Sequence, residues 1–139
     1  MAAQRPVILE ALRSTLALAV TTGERICFPW DAQLDPKDGP MIQVAMGEGR
    51  IDDGYTIGLW RHLVSIRIGA VVAGAFDYPS TWDILAEVSA ALVDDYTLGG
   101  TCTSITFTGC GDSIEVAGDK IMWPHLAATI EYMTPQGAV

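Results

Sequence analysis

Basic residues are scarce in this 139-residue chain: eight Lys and Arg stand against 17 Asp and Glu, for a net charge of −9. The eight are scattered singly, as Arg5, Arg13, Arg25, Lys37, Arg50, Arg61, Arg67 and Lys120. Nucleic acid as a primary ligand requires clustered Lys and Arg to displace counterions from phosphates, and the sequence has no such cluster. Histidine is scarcer still, with His62 and His125 the only two. Cysteine is limited to Cys27, Cys102 and Cys110, which form no CxxC pair. No pair of these His and Cys residues has the local spacing of metal ligands, so no metal is expected. An odd number of thiols fits a reducing compartment. The apolar stretches at 7–20 and 63–76 are broken by charged or polar residues, and residues 1–6 lack the apolar core of a signal peptide. The expectation is a soluble protein made in the cytoplasm, with no membrane span.

Catalytic patterns are equally thin. No family signature surrounds any Cys that would mark it as a nucleophile beside a His base. The adjacent acids Asp52-Asp53 and Asp94-Asp95 read as solvated charge patches at a loop and a helix end. Gly109-Cys110-Gly111-Asp112 has the glycines of a phosphate loop but not the following Lys-Ser/Thr or helix, and reads as a hairpin turn. The sequence thus offers no catalytic, cofactor-binding or metal-binding residues.

Apolar residues, by contrast, are abundant. They make up 50% of the chain, with 14 Gly besides, while 18% of residues are charged. A small domain has much surface for its volume, so such an excess points to burial between subunits. Pro6 followed by apolar positions Ile8, Leu9, Leu12, Leu16, Ala19 and Val20 predicts a helix over 7–20, capped by Gly23. Short strands are expected at 25–28 and 41–46, separated by a loop at 31–40 rich in Pro and Asp. Residues 47–58 hold four Gly and three acids and read as a mobile loop or hairpin tip. The alternation of Trp60, His62, Val64, Ile66 and Ile68 with Arg61, Leu63, Ser65, Arg67 and Gly69 predicts a long strand over 59–72. A second helix is expected over 82–93, with Ser80 or Thr81 as cap, and Gly99-Gly100 as the break after it. Strands at 101–108, 113–116 and 123–133 follow, with Pro124 suggesting an edge or strand-end position. Together these give one α+β domain over 1–139, two helices on a mostly antiparallel β-sheet.

Period-2 alternation places Arg61 and Arg67 on one strand face, either solvated or meeting acids of a neighbouring subunit. The loops at 31–40 and 47–58 are long for a compact domain and are expected to contact a partner. Arg61, Arg67, Asp52, Asp53 and Tyr55 are therefore the candidate residues of a subunit or tube interface.

The N-terminal amphipathic helix, the strand ending Phe28-Pro29-Trp30, the segment Gly39-Pro40-Met41-Ile42-Gln43-Val44 and the strand from Trp60 to Ile68 form a sequence of elements. Thr81-Trp82-Asp83 and the closing Ala127-Ala128-Thr129-Ile130-Glu131-Tyr132 extend it. This order resembles the tail terminator (tail completion) proteins of long-tailed bacteriophages. The resemblance implies a non-enzymatic virion protein at the head–tail junction, made in the host cytoplasm. It would form a ring, usually of six subunits, that caps the tail tube, ends its polymerisation and offers the head a docking surface. Its partners would be other copies, the tail tube protein on a face including residues 47–58, and a head–tail connector or stopper, with DNA only passing through the lumen. A connector or stopper role shares the same core. From a different class, a small cytoplasmic ligand-binding domain or an enzyme using Cys27 or Cys102 is the alternative.

Overall fold

The structure, a computed structural model, describes residues 3–72 and 78–139, apart from the side chain of Tyr55. Helix α1 spans Gln4–Ala19, starting a turn earlier than Pro6 suggests. Ala3 offers no capping side chain; the first helical N–H, that of Gln4, is instead satisfied by the Val139 carbonyl at 2.9 Å. Ile8, Leu9, Leu12 and Leu16 are buried, each contributing about 1.5–3 kcal/mol of apolar transfer. Ala19, expected on the same face, is exposed. The C-cap is Val20, and Gly23, with φ +58°, serves the turn that follows it.

Five strands form one sheet in the order β1-β2-β3-β5-β4. Strand β1 (Ile26–Cys27) pairs in parallel with the start of β2 (Met41–Thr56), after a 3-10 turn at Pro36–Asp38. Antiparallel pairing joins β2 to β3 (Leu59–Val71), β3 to β5 (Asp119–Pro135) and β5 to β4 (Ser104–Val116). Helix α2 (Tyr78–Asp94) links the parallel strands β3 and β4, with β5 inserted between them. The fold is α+β, as the sequence pattern predicts.

Two expected loops are strand instead. Residues 47–56 continue β2 as an arm, with register shifts between Met46 and Gly49 and between Asp52 and Thr56. The loop expected at 47–58 shrinks to the turn at Ile57-Gly58, where Gly58 has φ +82°. Likewise Gly109-Cys110-Gly111-Asp112 is not a hairpin turn. It lies within β4 between two register shifts, and the chain reverses at Ala117-Gly118, both at positive φ. Pro124 is not on an edge, because β5 is a central strand. It falls where β4 shifts register, between the His125 and Met122 pairings, and just beyond the last β3 pairing, Gly69 with His125. A missing N–H costs no ladder bond there. Ser80 and Thr81 do not cap α2; both lie inside its first turns, and Asp77 lies outside the described residues.

Both helices pack on one sheet face. Ile42 and Val44 of β2, Val64, Ile66 and Ile68 of β3, and Ala128, Ile130 and Tyr132 of β5 form the core with Leu12, Leu16, Leu85, Val88 and Leu92. Glu87 of α2 accepts from the Thr21 hydroxyl (2.8 Å) and amide (3.2 Å), fastening α2 to the chain just after α1. Among the described residues no helix is long and apolar enough to cross a membrane.

Candidate interaction surface

The opposite sheet face carries Arg61, Leu63, Ser65 and Arg67 of β3. Across from them stand Asp52 and Ala45 on β2 and Met133, Glu131, Thr129 and Ala127 on β5. Its upper end is covered from within the chain. Trp123 lies flat over Gly69 and stacks on His125, with ring centroids 5.0 Å apart. Among the described residues, neither helix packs on this face.

Arg61 is held inside its own chain. One guanidinium nitrogen lies 3.1 Å from the Asp52 carboxylate and another 3.2 Å from that of Glu131, a bridge over three adjacent strands. Asp53, the next residue on β2, is exposed and has no ion pair among the described residues. Tyr55 is the one candidate whose side chain lies outside the described residues.

Arg67 is exposed six positions along β3, with Ala45 and Ala127 as its cross-strand neighbours. These alanines, with Gly47, Ser65 and Thr108, leave a trough of about 460 Å³ beside it. A larger cleft of about 560 Å³ lies where Phe28, Gln43 and Ala45 meet Ile121, Met122 and Trp123 of the β4–β5 arm. Asp31, its one carboxylate, is already committed. The Phe28 amide donates to it at 2.9 Å and Arg13 at 2.7 Å, and these two contacts, in that order, hold its carboxyl below the usual range. The loop at 31–40 is further tied by Arg25, which donates to the carbonyls of Asp35 (2.6 Å) and Gly39 (3.2 Å).

Among the described residues neither histidine is hydrogen-bonded to a thiol; Cys27 lies against the Phe28 and Ala32 carbonyls and Cys102 against that of Tyr96. His62 is buried, stacked on Tyr132 at 4.4 Å, with Nε2 2.7 Å from the Thr134 hydroxyl. That hydroxyl donates its hydrogen to the Ala138 carbonyl, so Nε2 must carry the proton and donate. Burial first, and Arg5 second, push the His62 pKa down. His125 is buried too, with Nδ1 2.7 Å from the Trp123 carbonyl. Cys102 is buried, and desolvation raises its thiol to about 11, far from a thiolate at neutral pH. Cys110 is exposed, but it pairs with Leu126 whereas His125 pairs with Gly111, so thiol and imidazole leave opposite sheet faces. Among the described residues no three His, Cys, Asp or Glu side chains gather as a metal site.

Both arms carry exposed apolar side chains. Ile57 is fully exposed at the β2–β3 turn, with Ile51 and Leu59 beside it, and Val116, Ile121 and Met122 stand at the β4–β5 arm. The helix layer adds Leu18 and Val93. Sequence reading singled out residues 47–58 for their length and gave 113–116 as a short strand, without joining it to β5 across the Ala117-Gly118 turn as a second arm. Its signal was the alternation of Ile114 and Val116 beyond the glycines. No protein-family model matches the chain, and no curated protein is similar enough to count as a relative.

Proposed function

We propose that this chain is a ring-forming structural protein of the tail terminator type, capping a phage tail tube at the head–tail junction and acting without catalysis. One observation supports this above the others: the sheet is clothed by helices on one side only, and two apolar-tipped arms project from it. Such surface on a 139-residue chain calls for protein partners. A heterologous contact between copies closes into a ring when the rotation closes. The tube protein and a connector or stopper would meet the two ring faces, and DNA would pass through the lumen.

Native mass spectrometry with negative-stain imaging tests the reading. The expected result is a hexamer with a central hole. A chain that stays monomeric and does not bind tail tubes overturns it. The 560 Å³ cleft supports a second reading, a binding domain for a small apolar molecule, in which Gln33 and Gln43 supply neutral polar contacts. A monomer that takes up an apolar fluorescent probe in that cleft would favour it.

A further inference from the structure

Residues 135–139 are exposed or half-buried and place no side chain in the core, yet they join three parts of the fold. The Gln136 amide donates to the Gly58 carbonyl of the β2–β3 turn at 3.1 Å, and the Val139 carbonyl accepts from Gln4 at the start of α1. The Ala138 carbonyl accepts from the Thr134 hydroxyl at 2.8 Å, and that hydroxyl accepts from His62 Nε2 at 2.7 Å. The Ala138 amide closes the turn on the Pro135 carbonyl at 3.0 Å. Hydrogen bonds of this kind contribute only about 0.5–1.5 kcal/mol each. With no buried apolar side chain behind them, residues 135–139 belong to the part of the fold that opens most easily. We infer that residues 134–139 form a proton-operated latch over His62, closed on the neutral ring and opened by its protonation, which frees the start of α1 and the Ile57-Gly58 turn together. The latch does not rest on the assembly reading, because it closes within one copy.

The charged and titratable groups facing the buried ring are Arg5 of α1 and the Tyr132 phenol of β5, stacked on it at 4.4 Å. Its cross-strand neighbour on β2 is Ile51. A second proton would therefore put a cation into a buried site beside another cation. Burial opposes that charge most and Arg5 next, while the Ala138 carbonyl favours it less strongly. Arg5 directly follows Gln4, whose amide the Val139 carbonyl holds, so the latch closes the contact across which the two cations would repel. Opening it parts them and lets water reach the ring. Above pH 6.5, the ring's ordinary value, open and closed states are both neutral and closure is complete. Below it the open state takes up a proton that the closed state refuses. Opening then increases about tenfold per pH unit, until the closed ring's own lower value is reached.

Hydrogen exchange read by mass spectrometry on the full chain, from pH 7.5 to pH 5 and corrected for the intrinsic rate, tests the latch. Protection of the α1 start, the Ile57-Gly58 turn and residues 134–139 is expected to fall together, about tenfold per pH unit below 6.5. The central β3–β5 pairing around Val64 and Ile130 should keep its protection. His62→Gln, whose amide can still donate to Thr134, should hold all three segments closed across the range. Thr134→Val should leave them open even at pH 7.5. Constant protection in the wild type, an equal fall in His62→Gln, or opening of one segment without the others overturns the latch. So does exchange of β3 in step with the three segments, which would mean that acid unfolds the whole domain. Should Thr134→Val fail to fold, the wild type and His62→Gln decide the matter between them.

Discussion

Gly69 shows how much one missing methylene group can hold in place. A Cβ added there would fall inside the Trp123 indole, so the glycine is what lets the ring lie on the strand. Gly69→Ala should force the indole away and lower stability by about 1–3 kcal/mol, read as the urea midpoint followed by tryptophan fluorescence. An unchanged midpoint would mean the indole does not rest there. The thiols separate in a comparable way. Cys102, buried with its pKa raised to about 11, should resist iodoacetamide at pH 8 in the folded chain, whereas exposed Cys110 should be alkylated first. Peptide mass spectrometry decides the order, and prompt alkylation of Cys102 would mark it as a reactive thiol. The sequence places Gly69 on a strand's more polar face, but it contains no sign of Trp123, 54 positions away, as the reason for it. Residue pairs created by strand register are invisible to local pattern.

The elements were legible wherever their own side chains decide the outcome. Helix α1 has an apolar stripe with helical spacing, and β3 alternates strictly, because each buries one face against the core. The failures, 47–56 and 109–112, share glycines and acids that normally favour turns. There, pairing with a neighbouring strand overrides local preference, and the surplus residues are absorbed as bulges. The β2–β3 arm thereby becomes a two-stranded projection with Ile57 at its end. Ile57→Asp should leave thermal stability within about 0.5 kcal/mol, since that side chain is fully exposed, yet abolish self-association. Rings that persist but no longer cap tubes would assign the arm to the tube instead of to a second copy.

Across the whole molecule, stability should depend on the protonation of one imidazole. The folded pKa of His62 lies below its ordinary value of 6.5 because the ring is buried, with Arg5 of α1 opposing its charge. Its other neighbours, Tyr132, Trp60 and Thr134, bring no carboxylate to favour the protonated form. Between the folded value and 6.5 the unfolded chain binds more protons, so stability is complete above 6.5 and declines as pH falls through this window. Melting temperature measured from pH 7.5 to pH 5 should fall, and His62→Gln should flatten that slope. An equal slope in both chains would place the titration elsewhere. As for the surface, composition announced an apolar excess and period-2 alternation set Arg61 beside Arg67. That Arg61 is satisfied at home and Arg67 is not depends on Glu131, a residue of a strand 70 positions away.

The seam between β3 and β5 divides the chain into halves that each supply a helix and a hairpin. During synthesis β3 is complete at Val71, but its partner is finished only at Pro135. At 5–20 residues per second, the inner edge of β3 waits roughly 3–13 s for that partner to leave the ribosome. Nascent chains made side by side on one message would carry that same bare edge over overlapping intervals, each exposed to the other until its own β5 is made.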